Sequence, residues 1–231
     1  MSPPAVMPDR WSVIGDLERP DHYYLPPGAT CVFWGEYTPY EHTDGQKWNF
    51  SPTNQLISNF KKKMDRRGQP DWPYKARAVG TVGQGFARMF NWDDPTLANA
   101  AFVPMPPSKA RTDPMYDSRI LDAVNIMRVA SRRQLDIRDC LSLDGTHGAS
   151  HESDERPSPA QLYEAMIFDP VQGRVVDQPN IILLVDDMLT TGAHFVAASR
   201  KLAEAFPGVE VVGVFVARRR VPNPFDDFDE L

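Results

Sequence analysis

Residues 181–193 read IILLVDDMLTTGA, and this stretch determines the predicted fold class. Its first five residues are all aliphatic, which is typical of a strand that is covered on both faces. Asp186 and Asp187 follow directly, and the pattern after them predicts a helix over residues 193–206. Because open α/β sheets bind ligands beyond the carboxyl ends of their strands, we expect the two acids to lie at a binding site.

The rest of the chain repeats this alternation of strands and helices. Further strands are predicted at residues 101–105, 137–143 and 209–217, and further helices at 51–67, 74–90 and 117–133. This order predicts an α/β fold with a doubly wound, largely parallel sheet flanked by helices. We divide the chain into an N-terminal extension or hood rich in proline and aromatic residues (1–50), an α/β domain (51–220) and an acidic C-terminal tail (221–231).

The composition is that of a soluble globular protein, with 231 residues of which 42% are hydrophobic and 24% charged. The net charge of −6 includes four acids within the last six residues, and it predicts no overall attraction to nucleic acid or to anionic membranes. Cys31 and Cys140 are too few for a disulfide scaffold. With no signal-peptide pattern and no long apolar run, we expect a cytoplasmic protein without a membrane span.

The acid pair and the turn after it combine two kinds of binding group. Adjacent carboxylates repel each other unless hydrogen-bond donors or a cation lie opposite, and sugar hydroxyls or hydrated Mg²⁺ supply these. Residues 190–193 carry two threonines and a glycine at the start of a helix, which suits one phosphate. Together they predict a ribose 5-phosphate site. The alternative is that Asp187 and the threonines only cap the helix.

The sequence VDDMLTTGA resembles the phosphoribosyl-pyrophosphate (PRPP) signature of type I phosphoribosyltransferases. The resemblance is to the ComF-like subgroup of this family and extends over residues 51–220. PMPPSKAR at residues 104–111 is similar to the pyrophosphate loop. It implies the type I phosphoribosyltransferase fold. It also implies Mg²⁺-dependent transfer of ribose 5-phosphate from PRPP to a nitrogen acceptor, with release of pyrophosphate.

The resemblance also assigns roles to individual residues. Asp186 and Asp187 would hold the ribose hydroxyls and, through water or substrate, Mg²⁺. Lys109 and Arg111 would stabilise the leaving pyrophosphate, unless their loop is an ordinary charged surface loop. The residues that would bind PRPP are Ser108, Met188, Leu189, Thr190, Thr191, Gly192, Ala193 and His194.

Acceptor and lid residues are harder to assign. Arg218 and Phe225 follow the last strand, where the family places its acceptor loop, although the arginines there would equally pair with the acidic tail. His147 and His151 lie in a long polar segment that is either a lid over PRPP or a loop without a role. Thr190 stands where purine-salvage relatives carry an Asp, so hypoxanthine and guanine are not the expected acceptors.

Two other functions stay open. One is a PRPP-binding or nucleotide-binding regulatory or partner module without transferase activity, because fold alone does not decide function. The other is a ComF-like DNA-handling accessory protein, supported only by the basic residues within 61–67, a pattern more typical of a solvated helix face. A homodimer or a complex with a partner protein is also left open. The aromatic residues within 34–50 would form core packing, a hood, a dimer contact or part of an acceptor pocket.

Overall fold

A central sheet of six strands organises the protein in the computed structural model, which describes residues 6–144 and 157–222. Within this sheet, as far as the described residues show, all neighbouring strands are parallel except the pair at one edge. The predicted α/β fold with a largely parallel sheet flanked by helices is therefore confirmed. From edge to edge the strands are β1 (Ser12–Val13), β2 (Cys31–Tyr37), β8 (Glu210–Arg219), β7 (Ile181–Leu189), β3 (Ala100–Pro104) and β4 (Asp136–Ile137).

Helices cover both faces of the sheet. One face packs against α1 (Pro52–Phe60), α2 (Pro73–Met89) and α3 (Arg119–Ser131). The other packs against α4 (Pro159–Ala165), α6 (Ala193–Ala205) and a small antiparallel sheet of β5 (Leu141–Leu143) and β6 (Met166–Phe168), with the short α5 (Pro170–Gly173) after β6. None of the described helices is both long and apolar enough to cross a bilayer.

Alternation along β7 explains why both faces are covered. Leu183 and Val185 belong to the hydrophobic cluster under α1, α2 and α3, whereas Ile182 and Leu184 belong to the cluster on the opposite face. Successive side chains of a strand point to opposite faces, so an uninterrupted aliphatic run requires a hydrophobic partner on each side. The aliphatic segment of residues 181–185 therefore forms the middle of the protein.

The predicted helices are present with shifted ends. The helix predicted over residues 51–67 ends at Phe60, and a separate turn of 3₁₀ helix follows at Met64–Arg66. Helix α2 forms despite its internal glycines, and Gly85 has a packing role. A Cβ atom at that position would lie 2.4 Å from the ring of Trp34, so only glycine lets the helix approach β2 this closely.

The strand predicted over residues 137–143 is wrong as a single element. Its two ends belong to different sheets, because the chain leaves β4 after Ile137 and enters β5 at Leu141. The buried Arg138 holds this crossing in place by donating hydrogen bonds to Asp136 Oδ2 (2.8 Å) and to the carbonyl of Gly173 (2.8 Å). An arginine within an otherwise strand-like run is the feature that marks the break.

The N-terminal segment is part of the sheet. Strand β2 pairs along its length with β8, and β1 adds an antiparallel edge strand beside it. The predicted boundary at residue 50 therefore divides strands that share one sheet. Trp34 on β2 is buried and packs against Phe86, which supports core packing for this aromatic residue.

Candidate functional site

Asp186 and Asp187 lie within strand β7, rather than after it as predicted, and reach past the end of the neighbouring strand. Strand β3 ends at Pro104 opposite Val185, while β7 continues beside β8 as far as Leu189. The amide of Met105 donates to the carbonyl of Val185 over 2.8 Å, which keeps the loop after β3 against this edge. The acids therefore lie at the carboxyl edge of the sheet, as expected for a ligand site.

A cleft of about 400 Å³ opens at this edge. Its walls come from five parts of the chain: the end of α1, the loop after β3, the start of α3, the residues just before α4, and the segment from β7 into α6. The cleft is lined by Lys61, Met105, Pro106, Pro107, Ser108, Arg119, Pro157, Asp186, Asp187, Met188, Thr190, Thr191, Ala193 and His194.

Two cations hold Asp187. Lys61 Nζ lies 2.9 Å from its Oδ1, and Arg119 donates to its Oδ2 from Nε at 3.0 Å and also from Nη2. Asp187 is only 4% exposed. Burial alone would raise the pKa of this carboxyl, but the charges and hydrogen bonds of Lys61 and Arg119 outweigh burial and lower the pKa well below its ordinary value.

Asp186 is in a different environment, because successive residues of β7 point to opposite faces. Its side chain is half-buried at the cleft, and its Oδ1 accepts a hydrogen bond from the amide of Asp187 over 2.6 Å. The surrounding protein, and then repulsion by Asp187, raise its pKa to about 7. Opposite pKa shifts within one acid pair are typical of functional sites.

A buried network of ion pairs and hydrogen bonds holds Lys61 and Arg119 in place. Arg119 Nη1 lies 2.7 Å from Asp117, and Asp117 in turn lies 2.7 Å from Lys75 Nζ. Lys75 also donates to the carbonyls of Phe60 (3.0 Å) and Lys62 (2.9 Å). These two carbonyls flank Lys61, so Lys75 fixes the backbone from which the Lys61 side chain reaches Asp187.

The turn between β7 and α6 brings the N-terminus of α6 to the cleft. Gly192 has a φ of +90°, a conformation that favours glycine, and it places the turn directly before the first residue of α6. The hydroxyl of Thr191 accepts a hydrogen bond from the amide of Ala193 over 3.4 Å. A 13-residue helix that begins at a cleft presents its unpaired amides and its positive dipole end there.

The N-terminal segment contacts the backbone of this turn. The Nδ1 of the buried His22 donates to the carbonyl of Thr190, and the amide of Tyr24 donates to the carbonyl of Thr191 over 3.0 Å. Burial lowers the pKa of His22, which favours the neutral ring. Sequence analysis missed this support, because nothing near residue 22 indicates a contact with residue 190.

The cations of the predicted pyrophosphate loop lie elsewhere. Lys109 Nζ is 3.8 Å from Asp113, and Arg111 donates to the carbonyl of Asp139 over 3.0 Å and pairs with its carboxylate. Ser108 lines the cleft, whereas Lys109 and Arg111 do not.

The other predicted residues divide in the same way. Met188, Thr190, Thr191, Ala193 and His194 line the cleft, whereas Leu189 belongs to the hydrophobic core and Gly192 shapes the turn. Burial lowers the pKa of His194. Arg218 is buried in ion pairs with Glu36 and Asp21, away from the cleft. Phe225 and the proposed lid histidines His147 and His151 lie outside the described residues.

Lys61 and Arg119 are the functional candidates that sequence analysis missed. The basic run at residues 61–67 favours a solvated helix face for Lys61, yet Lys61 lies four residues after the buried Ile57 and so continues the inward-facing stripe of α1. That spacing is the signal that could have found it. Arg119 lies at the start of α3, and no sequence pattern links it to Asp187.

The side chains at the cleft fit Mg²⁺ only if water and substrate phosphates supply most of its ligands. Within residues 6–144 and 157–222 no cluster of three or more histidine, cysteine or acidic side chains is arranged to enclose a metal ion. Mg²⁺ bound through one or two carboxylates, water and substrate phosphates needs no such cluster. Asp186, with its carboxylate at the cleft, fits that role.

Comparison with known proteins gives no family assignment. A scan against models of protein families found no match for the chain, and a search of curated protein sequences found none either.

Proposed function

We propose that this protein is a Mg²⁺-dependent phosphoribosyltransferase of type I fold, which transfers ribose 5-phosphate from PRPP to a nitrogen acceptor and releases pyrophosphate. One observation carries the proposal. The acid pair, the turn residues Thr190, Thr191 and Ala193, and Ser108 line a single cleft of about 400 Å³ at the carboxyl edge of a largely parallel sheet. Groups for a diol and groups for a phosphate lie side by side there, which is the combination that ribose 5-phosphate requires.

Each part of the cleft would bind a different part of PRPP. Carboxylate oxygens of Asp186 and Asp187 would accept hydrogen bonds from the ribose hydroxyls. Thr190, Thr191 and the amides at the start of α6 would hold the 5-phosphate. Ser108 would donate to the pyrophosphate, and Lys109 and Arg111 of the same loop remain predicted contributors that would have to leave Asp113 and Asp139 first.

The reaction requires positioning and charge stabilisation rather than a covalent nucleophile. As pyrophosphate leaves C1, positive charge develops on the ribose ring and negative charge on the leaving group. Asp186 and Asp187 would lie near the ribose ring, and Lys109 and Arg111 would lie near the leaving pyrophosphate. The cleft would hold the ring so that the acceptor attacks C1 from the face opposite the leaving group. Asp186 would hold Mg²⁺ at the cleft, and the ion would supply further neutralisation of the leaving group.

A second pocket supports a place for the acceptor. It has a volume of about 450 Å³ and shares Lys61, Met188 and Thr190 with the cleft. Tyr40 and Arg219 also line it, so an aromatic ring and a cation face an incoming acceptor. Arg219 pairs with Glu41 of the same pocket over 3.5 Å and stays 27% exposed, whereas the predicted Arg218 is buried in its pairs with Glu36 and Asp21, so Arg219 is the more accessible cation.

Calorimetric titration with PRPP and Mg²⁺ tests the proposal, together with an assay for pyrophosphate release across bases, amines and nucleotides. We expect the wild-type chain to bind PRPP, and Asp186→Asn to weaken both PRPP and ribose 5-phosphate binding at least tenfold. Asp93→Asn is the matched control, because that acid is exposed and pairs with Arg133 away from the cleft. Absence of PRPP binding, or equal affinities in both variants, would contradict the proposal.

A PRPP-binding module without transferase activity is the second candidate. It is favoured by the two cations on Asp187, which leave this carboxylate engaged by protein groups. Tight PRPP binding with no pyrophosphate release for any acceptor would distinguish it from the enzyme.

DNA handling has less support, because Lys61 pairs with Asp187 while Lys62 and Arg66 pair with Asp71. Salt-dependent DNA binding would be its signature.

A further inference from the structure

Lys61 and Arg119 face the cleft but belong to neither of the predicted substrate loops. Both line the cleft beside Ser108 and the acid pair. Their side chains retain contact with solvent, 41% exposed for Lys61 and 18% for Arg119. Both bind the same carboxylate, Asp187, from different elements of the fold. Two convergent cations at the rim of a cleft are the groups that a strongly anionic ligand requires.

The supporting network lets these cations change partners without losing their positions. Arg119 keeps a second partner in Asp117 at 2.7 Å, so its guanidinium stays anchored if its contact with Asp187 breaks. The backbone at Lys61 is held by Lys75 on either side, so only the lysine side chain needs to move. A guanidinium group binds phosphate oxygens with the same forked geometry that it uses for a carboxylate. A pyrophosphate also carries more negative charge than one carboxylate.

We propose that Lys61 and Arg119 bind the pyrophosphate group of the substrate, and that Asp187, which holds both cations in this structure, exchanges them for a ligand. The inference rests on the proposed function in taking pyrophosphate as the ligand. When the cations move to the phosphates, both oxygens of Asp187 become acceptors for the ribose hydroxyls. The two halves of the substrate thus assist each other's binding through one carboxylate.

Exchange makes a prediction that a purely structural ion pair does not. If Asp187 competes with pyrophosphate for the two cations, Asp187→Asn releases them and strengthens the binding of inorganic pyrophosphate. The same substitution removes an acceptor for hydroxyls and weakens the binding of ribose 5-phosphate. Opposite effects of one substitution on two ligands are the signature of exchange.

The experiment is calorimetric titration of the full chain with inorganic pyrophosphate and, separately, with ribose 5-phosphate. Loss of one charge-assisted contact is expected to weaken pyrophosphate binding about tenfold in Lys61→Met and in Arg119→Lys. Lys62→Met and Arg133→Met are the matched controls, because these residues pair with Asp71 and Asp93 and do not line the cleft. Asp187→Asn is expected to bind pyrophosphate several-fold more tightly than the wild type.

The inference is overturned if Lys61→Met and Arg119→Lys bind pyrophosphate as the wild type does, if the wild type does not bind it, or if Asp187→Asn weakens both ligands alike. Should Arg119→Lys fail to fold, Lys61→Met still decides, because that side chain is 41% exposed. The two failures are distinguishable. PRPP binding that needs Asp186 but not Lys61 contradicts only this inference, whereas pyrophosphate binding through Lys61 without PRPP binding contradicts only the proposed function.

Discussion

Lys75 Nζ lies 2.7 Å from Asp117 Oδ2, and this buried ion pair is the inner end of a run of alternating charges. The run continues through Arg119 to Asp187 at the cleft and ends at Lys61. Because each acid lies between two cations, the loss of one member leaves a charged neighbour without its partner where water is scarce. The network thus joins the stability of the α1, α2 and α3 layer to the geometry of the acid pair.

Lys75→Met is expected to destabilise the protein strongly. Lys75 is 6% exposed, and its loss removes the partner of Asp117 and the donor to two carbonyls. We expect the free energy of unfolding to fall by about 3–5 kcal/mol, as for other broken buried pairs. Urea denaturation measures this, with Lys63→Met, at an exposed lysine between α1 and α2, expected to stay within about 0.5 kcal/mol of the wild type. Equal losses in the two variants would contradict the buried network.

The acid pair predicts opposite effects of two similar substitutions. The pKa of Asp186 is raised to about 7, so its stabilising contribution is present below pH 3.8, its unperturbed pKa, and is lost as pH rises through 7. The pKa of Asp187 is lowered, so its contribution is present above pH 3.8 and is lost only as pH falls. At pH 8 Asp186→Asn should match or exceed wild-type stability. Asp187→Asn should lose about 3 kcal/mol, the lower end for a broken buried pair, because Lys61 stays hydrated.

Chemical denaturation at pH 5 and pH 8 checks this pair of variants. Relative to the wild type, Asp186→Asn should be less stable at pH 5 than at pH 8, because the wild-type carboxyl gains its protonated form as pH falls. Similar losses for both variants at pH 8 would show that the two acids share one environment. That result would remove the distinction between an acid facing the cleft and an acid held by cations.

The sequence predicted those parts of the site that are contiguous along the chain. The aliphatic run, the acid pair and the glycine turn are adjacent in sequence, and local rules suffice to order them as strand, site and helix. Lys61 and Arg119 reach Asp187 from 126 and 68 residues away, through the packing of α1 and α3 on the sheet. No local rule encodes that approach. Strand β7 continues past its predicted end at residue 185 for a similar reason, because β8 extends far enough to pair with Met188 and Leu189.

His22 is expected to position the turn at residues 190–192. Its ring donates to the carbonyl of Thr190, and His22→Leu should cost about 1 kcal/mol by removing the donor to that partly buried acceptor. His22→Asn places an amide donor at a similar distance from the backbone and should restore part of the loss. Burial lowers the pKa of His22, so wild-type stability should fall as pH drops below 6.5, and His22→Leu should lack this part of the dependence. Denaturation at pH 5.5 and pH 7.5 provides the measurement, and a Leu variant as stable as the wild type would exclude the positioning role.

Gly85 and Gly80 provide a matched test of how α2 packs against β2. A Cβ atom at Gly85 would lie 2.4 Å from the buried ring of Trp34, whereas nothing lies within 4 Å of one at Gly80. Gly85→Ala should therefore destabilise the protein by about 1–3 kcal/mol through overpacking. Gly80→Ala should stabilise it by about 0.5–1 kcal/mol, because alanine favours a helix interior. Urea denaturation followed by Trp fluorescence measures both, and stabilisation by both substitutions would mean that α2 does not approach Trp34 this closely.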